Sequence, residues 1–188
     1  MTYDPRTKKI NYAPVEEISK LRGKSLGSLS VVTAPTALPA SSACDMEVHF
    51  AKPSGPVTFA VEVNGGTFYL DYTSDSQPAK VGFNATAEHA EFANWDSRGK
   101  PIGMQDEVTM LSSDTVISMR IFLDTNCGEV YFMGGRVAMT VEIPTAAYTA
   151  KVMASPSAKL LNATSWQMGS IWATKEEVLA TPRLDGKN

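Results

Sequence analysis

One stretch decides the fold of this chain: Met119-Arg-Ile-Phe-Leu-Asp-Thr-Asn-Cys-Gly-Glu-Val-Tyr-Phe-Met-Gly-Gly-Arg-Val-Ala-Met-Thr140. Apolar and polar residues alternate along most of it, which is typical of strands that bury one face. A short polar break and then a Gly-Gly pair interrupt the alternation, and such residues form tight turns. The stretch therefore predicts three consecutive antiparallel strands, near residues 117–123, 128–133 and 136–143.

The same period of two continues on both sides of this stretch. Upstream, apolar residues alternate with polar ones in Met46–Phe50, Val57–Val63 and Thr67–Tyr72. The last two of these strands are joined by Asn64-Gly65-Gly66, and Asn-Gly is a strong signal for a type I′ hairpin turn. Downstream, further strands are expected near 147–153 and 159–166, whereas the Ala-, Pro- and Ser-rich residues 35–42 are expected to form a loop.

Many short strands with frequent turns indicate an all-β chain. The expected fold is an antiparallel two-sheet β-sandwich of the jelly-roll or lectin-like type. A short helix over residues 14–22 is predicted to precede it, because Pro14 suits a first helical turn and Gly23 suits a helix end. Val15, Ile18 and Leu21 form one apolar stripe on that helix. Since a two-turn helix is marginal alone, we predict that this stripe forms a domain interface.

Composition excludes several classes of partner. The 188 residues carry a formal net charge of −3 with no basic block, so nucleic acid is not an expected partner. No apolar run approaches the roughly 20 residues needed to span a bilayer, so no membrane partner is expected either. No motif for a cofactor is present, and the two cysteines, Cys44 and Cys127, lack metal-site spacing. Two buried thiols are favoured over one disulfide. The sequons at Asn84 and Asn162 are either chance matches or glycosylation sites of a secreted eukaryotic protein.

Several segments of the chain, taken in their order along the sequence, resemble the C-terminal β-sandwich domain of glycoside hydrolase family 32. This family includes invertases, inulinases and levanases. The resemblance runs from about residue 2 to residue 172. It rests on the opening stretch and on three further segments: Tyr3 to Gly23, Tyr69-Leu-Asp-Tyr-Thr-Ser-Asp-Ser76, and Asn162-Ala-Thr-Ser-Trp-Gln-Met-Gly-Ser-Ile-Trp172. Tyr72 and Asn126-Cys127-Gly128 depart from the family pattern, so no subgroup is assigned.

The resemblance implies a division of the chain. Residues 1–24 would be the end of a propeller blade, a linker and the short helix; residues 25–175 would be the sandwich; and residues 176–188 would be a tail, frayed after Leu179. The family's catalytic carboxylates come from Asn-Asp-Pro, Glu-Cys and Arg-Asp-Pro motifs in a separate propeller. Asp4-Pro5-Arg6 and Cys44-Asp45 do not match those motifs. We therefore assign no catalytic residue. We expect the catalytic propeller to lie upstream of this chain. If the parent protein is secreted or vacuolar, its signal sequence is also expected upstream.

Other polar residues have structural interpretations that outweigh a catalytic one. Asp124 and Glu129 flank the predicted turn and are interpreted as a turn residue and a surface residue. His49 lies in an alternating strand, where an exposed or hydrogen-bonded side chain is expected. His89 has acidic neighbours but no second histidine with which to hold a metal.

Exposed aromatic residues could instead contact sugar. Trp95, Asp96 and Arg98 lie together in Asn94-Trp-Asp-Ser-Arg-Gly99 and are the candidate carbohydrate-binding residues. A contact of Trp95 with the catalytic domain or a second subunit is an equal alternative. Tyr69 and Tyr131 fall on strand faces, whereas Trp166 and Trp172 are expected in the core or at a domain interface.

Two hypotheses for function follow. In the first, the chain is a non-catalytic module that stabilises the catalytic propeller of a β-fructofuranosidase. Its partners would be that propeller, sucrose or a fructan, and a second copy in a homodimer. In the second, the chain is an independent fructan-binding or lectin-like module.

Overall fold

The structure is a computed structural model that describes residues 1–32, 34–86, 94–95, 101–102, 104–144, 148–170, 172 and 174–181. These residues form a 3₁₀ helix (Glu16–Leu21), one α-helix, α1 (Lys175–Ala180), and short strands. The strands are β1 (Thr2–Asp4), β2 (Lys9–Asn11), β3 (Arg22–Leu29), β4 (Thr36–Pro39), β5 (Ala43–Ala51), β6 (Val57–Val63), β7 (Gly66–Tyr72), β8 (Ala79–Ala85), β9 (Asn94–Trp95), β10 (Pro101–Ile102), β11 (Met104–Val108), β12 (Val116–Asp124), β13 (Cys127–Phe132), β14 (Val137–Glu142), β15 (Thr149–Ala154) and β16 (Leu160–Met168).

Two antiparallel six-stranded sheets form the body of the fold. Sheet I has the strand order β11-β8-β7-β6-β15-β4, and sheet II has the order β14-β13-β12-β5-β16-β3. Two short hairpins, β1–β2 and β9–β10, accompany them. The predicted two-sheet β-sandwich is therefore confirmed.

The core lies between the inner faces of the two sheets. The alternation seen in the sequence places every second residue inward, as in Met46, Val48 and Phe50 of β5, all fully buried. Aromatic rings join the two layers, with Phe50 and Phe59 centred 4.6 Å apart. This packing supplies the stabilisation that no single strand has alone.

The strands predicted from alternation are present close to their expected positions: β5, β6, β7, β12, β13, β14, β15 and β16. The predicted loop at residues 35–42 is wrong, because it contains β4, whose Leu38 is buried. Pro35 and Pro39 conceal this strand in the sequence. They are tolerated there because β4 is the edge strand of sheet I, where a missing N–H breaks no ladder.

The hairpin between β6 and β7 forms at the predicted place, but the predicted turn type is wrong. A type I′ turn needs positive φ at both central residues. Only Gly65 has it, at 75°, and Asn64 does not. The buried amide of Asn64 instead accepts a hydrogen bond from the backbone N–H of Thr149, at 2.9 Å, and so connects the turn to β15.

The helical elements also differ from expectation. The predicted helix at 14–22 is a 3₁₀ helix over Glu16–Leu21, with no side-chain N-cap. Strand β3 begins directly after it at Arg22. Near the C-terminus, in the segment expected to be a tail, α1 forms because Thr174 and Glu177 make a capping box. No helix of the described residues is long and apolar enough to cross a membrane.

Cys44 and Cys127 are both free thiols, as predicted, but the prediction that both are buried is wrong for Cys127, which is only half-buried. Their positions in the register explain this. Leu123 of β12, which faces the core, pairs with Cys44, whereas the exposed Asp124 pairs with Cys127. Because neighbouring positions point to opposite faces of a sheet, the two thiols cannot form a disulfide without a change in register.

Candidate domain-docking site

The outer face of sheet II carries charged residues where the inner face carries core residues. The charged residues on this face are Asp45 and Glu47 of β5 and Arg120 of β12. A second arginine, Arg22, comes from β3 at the edge of the same sheet. The strand register brings the four side chains into one ion-pair network.

Asp45 is the centre of this network and is completely buried. Arg120 donates to it through Nε at 3.1 Å and through Nη2 at 2.7 Å. Arg22 donates through Nε at 2.7 Å, and its Nη2 donates to Glu47. Burial lowers the pKa of Arg22, but its hydrogen bonds to Asp45 and Glu47 outweigh that effect and the pKa is raised. The network therefore holds two fixed positive charges close to the sheet surface.

Aromatic rings cover both guanidinium groups. The Arg22 guanidinium carbon lies 3.9 Å from the Trp166 ring centre, and that of Arg120 lies 4.8 Å from the Phe122 ring centre. Both contacts have cation–π geometry. Trp166, expected in the core or at an interface, is half-buried on this outer face.

The 3₁₀ helix is tethered to the same face. Arg120 Nη2 donates to Ser19 Oγ at 3.2 Å, and the Gly169 N–H donates to the Leu21 carbonyl at 2.8 Å. Beside the helix lies an open cavity of about 660 Å³. Its apolar lining includes Ile18, Leu21, Phe122, Met168 and Trp172.

The structure brings two of the three predicted interface residues together. Ile18 and Leu21 are half-buried and line this cavity, whereas Val15 precedes the helix and is 66% exposed. Trp172, which also lines the cavity, is 87% exposed. The role of Val15, Ile18 and Leu21 at a domain interface stays a prediction.

A second apolar surface lies before the helix, and we call it the N-terminal patch: Tyr3, Ile10, Tyr12 and Val15. Tyr3 and Ile10 are directly opposite each other in the β1–β2 hairpin, so their side chains share one face. Their exposed fractions are 65% and 47%, and Tyr12 is 48% exposed. This is an unusual concentration of large exposed apolar side chains for so short a segment.

The segment that carries this patch is attached to the sandwich. The Tyr12 N–H donates to the Gly135 carbonyl at 2.8 Å. Gly135 has φ of 91°, and a Cβ there would lie 2.6 Å from the Ala13 nitrogen, so only glycine fits. The hairpin itself is closed by Asp4, whose pKa falls to about 2 because Arg6 hydrogen-bonds to it. The patch is thus held in place beside sheet II.

The candidate sugar residues are only partly covered by the structure. Trp95 lies in β9, opposite Pro101 of β10, and Asp96 and Arg98 lie outside the described residues. Their contact with carbohydrate stays a prediction.

The residues that we interpreted as structural occupy structural positions. His49 Nδ1 lies 2.7 Å from Asn162 Oδ1, so the expected hydrogen-bonded histidine is confirmed. Asp124 is exposed at a turn, and Glu129 accepts a hydrogen bond from Tyr131 at 3.2 Å. His89 lies outside the described residues. Within the part of the chain that the structure describes, no cluster of three or more His, Cys, Asp or Glu side chains could hold a metal.

Sequence reasoning missed Arg22, Asp45, Glu47 and Arg120 as a group. A signal was available, because Asp45, Glu47 and Arg120 occupy outward positions of alternating strands in which the other face is apolar. What joins them is the register between β5, β12, β16 and β3, which the sequence does not specify.

The fold and this face define an antiparallel β-sandwich module that presents apolar surface beside a rigid ionic network. The sequence profile described as "Glycosyl hydrolases family 32 C terminal" matches residues 6–167. The chain belongs to that family. It is a non-catalytic C-terminal module of a family 32-like protein, and in such enzymes the catalytic domain is separate.

Solved structures agree with the fold. The chain matches fructan 1-exohydrolase IIa from Cichorium intybus with a TM-score of 0.62 and 15% identity, over 89% of this chain and 39% of that one. It matches exo-inulinase from Aspergillus awamori with a TM-score of 0.60 and 16% identity, over 90% and 34%. It matches sucrose-6-phosphate hydrolase from Lactobacillus gasseri with a TM-score of 0.57 and 16% identity, over 88% of this chain and 32% of that one. A comparison with curated protein sequences found no match.

Proposed function

We propose that this module docks on a family 32 catalytic propeller and stabilises it, and that the parent protein hydrolyses β-fructofuranosyl bonds in sucrose or a fructan. The activities in the names of the three matched enzymes, on fructan, inulin and sucrose 6-phosphate, support this substrate class. The chain spans less than two-fifths of each of them, as expected for one domain of a two-domain enzyme.

The N-terminal patch is the observation that carries the docking proposal. Tyr3 and Ile10 are paired across a two-stranded hairpin that buries neither of them. A two-stranded hairpin of this size is marginal in water by itself, and its attachment to the sandwich leaves its apolar face uncovered, which favours a second surface over that face. The patch occurs in the segment whose sequence resembles the end of a propeller blade, which favours the propeller as that surface.

The ion-pair network supplies the rigid part of the docking surface. Because Asp45 fixes both arginines, Arg22 and Arg120 lose little side-chain entropy when a partner covers them. Ser19 connects the same network to the 3₁₀ helix, so the helix and its cavity keep one position. An interface with an apolar centre and prearranged charged groups at its side is typical of stable domain contacts.

The test is an association measurement between two separately produced proteins. One is this chain, and the other is the family 32 catalytic domain that the same genome encodes. If one gene encodes both domains as a single polypeptide, the two are expressed separately for this measurement. Sedimentation velocity is expected to detect a complex, and the melting temperature of the catalytic domain should rise when the module is bound. The double substitution Tyr3→Ser and Ile10→Ser should weaken the complex by at least about tenfold, since two exposed apolar contacts are lost.

Val31→Ser with Val178→Ser is the matched control, because these valines are 66% and 61% exposed but lie outside the N-terminal patch. The control pair should bind like the unmodified chain. Equal binding by the Tyr3 and Ile10 variant would contradict the proposal. If the module alone forms a dimer that this variant dissociates, the patch belongs to a homodimer contact, and docking on the propeller through it is wrong.

A further inference from the structure

The outer face of sheet I, on the opposite side of the sandwich, carries one aromatic ring at its centre. Tyr69 points outward from β7, because its neighbours Phe68 and Leu70 point into the core. The residues directly opposite it are Gly82 on β8 and Ala60 on β6. The only bulky group in this row of three is therefore the tyrosine ring.

The ring leans across β8 and lies on Gly82. A Cβ at Gly82 would sit 2.6 Å from Tyr69 Oη and 2.8 Å from its Cζ, so no other residue leaves room for the ring. Gly82 is buried although it points outward, and Tyr69 remains half-exposed. Burial, together with the charge of Asp71, raises the pKa of the Tyr69 hydroxyl, which therefore stays protonated and able to donate. One side of the Tyr69 ring therefore packs on Gly82, which fixes its position, and the other side faces away from the sheet.

Hydrogen-bonding side chains border the ring on both sides. On one side Thr58 Oγ1 donates to Asp71 at 2.7 Å, and Lys80 is the next residue across the sheet. On the other side Lys151 Nζ contacts Glu62 at 2.6 Å. Glu107 of β11 lies opposite Lys80, so the first border carries two carboxylates and one ammonium group, and the second carries one of each. Positive charge therefore does not prevail on this face.

From this arrangement we propose that the outer face of sheet I binds a neutral oligosaccharide, with a sugar ring stacked on Tyr69. The C–H face of a sugar is apolar and matches the exposed side of the phenol ring. Its hydroxyl groups match the bordering carboxylate, hydroxyl and ammonium groups, which can donate and accept. The site uses none of the docking residues on sheet II and is independent of the proposed propeller contact.

The surroundings of Tyr69 favour this ligand over two others. A polyanion would require clustered Lys and Arg, whereas Lys80 and Lys151 here are balanced by Asp71 and Glu62. A protein partner would require a larger apolar area than the Tyr69 ring and the half-buried Met153, which pairs with Ala60 in the same row. A chain of neutral sugars needs only the stacking surface and the two polar borders.

Affinity gel electrophoresis of the intact chain tests the proposal, with levan, inulin, a β-glucan or a xylan cast in separate gels. We expect retardation by at least one polysaccharide, and the one that retards identifies the sugar class. Tyr69→Ala should weaken that binding about tenfold, as expected when a stacked ring is lost. Tyr69→Phe keeps the ring and should retain most of the affinity.

Tyr131→Ala is the matched control, because Tyr131 is a half-buried tyrosine on the outer face of the other sheet. It should be retarded like the unmodified chain, and circular dichroism should show that all variants are folded. Equal retardation of the Tyr69→Ala variant, or no retardation of the unmodified chain by any of the four polysaccharides, would overturn the proposal. Neither result would affect the docking of sheet II, which is measured by association with the catalytic domain.

Discussion

Arg120 and Asp45 are joined by two hydrogen bonds although they are not opposite each other in the sheet. Asp45 is paired with Phe122, and Arg120 is paired with Glu47, so the contact runs diagonally between β12 and β5. A one-residue slip in register would turn one of the two side chains into the core. The pair therefore links the register of sheet II to the charged surface that it displays.

Asp45→Asn should destabilise the module strongly. The carboxylate is fully buried and receives hydrogen bonds from two arginines, so its loss leaves two partly buried positive charges with the less buried Glu47 as their remaining acidic partner. The free energy of unfolding should fall by about 3 kcal/mol, measured by urea denaturation. Glu47→Gln is the control, since Glu47 is 30% exposed, and it should cost less than about 1 kcal/mol. Equal losses in the two variants would contradict the central role of Asp45.

Gly66→Ala should also destabilise the fold, for a steric reason. A Cβ at this position would lie 2.2 Å from Phe83 Cζ and 2.6 Å from the Asn84 carbonyl oxygen. Because the core cannot move away without cost, we expect a loss of about 1–3 kcal/mol in thermal or urea unfolding. Gly55→Ala meets nothing within 4 Å and should change stability by less than about 0.5 kcal/mol. A neutral Gly66→Ala variant would show that the β6–β7 turn is looser than described.

The Asp114–Arg136 pair should make stability depend on pH. Burial raises the pKa of Asp114, but hydrogen bonds from Arg136 and from the Leu111 N–H outweigh it, and the pKa is lowered. A lowered folded-state pKa stabilises the fold above the unfolded value of about 3.9, and this stabilisation is lost as pH falls through the folded value. The stability difference between the unmodified chain and Asp114→Asn should therefore be largest near neutral pH and shrink below about pH 4.

Urea denaturation at several pH values measures that difference. The same comparison is made in an Arg136→Gln background. Without the guanidinium group, most of the pH dependence of stability that is attributable to Asp114 should disappear. A difference between the unmodified chain and Asp114→Asn that is the same at every pH would refute the assignment.

The two thiols should react at very different rates. Burial raises the pKa of both, but Cys44 is completely buried and Cys127 is half-buried at the outer face. Titration with a coloured disulfide reagent should show one thiol that reacts in the folded protein and a second that reacts only after denaturation. Cys127→Ser should remove the first. Detection of no free thiol after denaturation without reductant would mean that a disulfide forms after all.

The isolated chain should not hydrolyse sucrose. The family's Asn-Asp-Pro, Glu-Cys and Arg-Asp-Pro motifs do not occur in its sequence, and retaining glycosidases need two carboxyl groups at a set separation. The measurement is glucose release by the purified chain. Turnover above background that persists through a second purification would contradict the proposed non-catalytic role.

The sequence by itself determined the strands that carry most of the core. Alternation in β5, β12 and β13 states which residues face inward, because side chains of a strand point alternately to the two faces. Its ordered segments also indicated the family. Strand β4 was not predicted, because Pro35 and Pro39 are atypical of strands. The alternation also did not predict that only one central residue of the Asn64-Gly65 turn has a positive φ.

Only the tertiary structure decided which side chains become neighbours on the two outer faces. Arg22 of β3 reaches Asp45 of β5 across the intervening strand β16, and Tyr69 of β7 meets Gly82 on the neighbouring strand β8. Both contacts exist only because of this strand order and register. Local patterning specifies which face of a strand is polar, since that depends on period alone. It does not specify which polar residues of different strands become neighbours, because that choice depends on strand order and register, which are set by the packing of the whole sandwich.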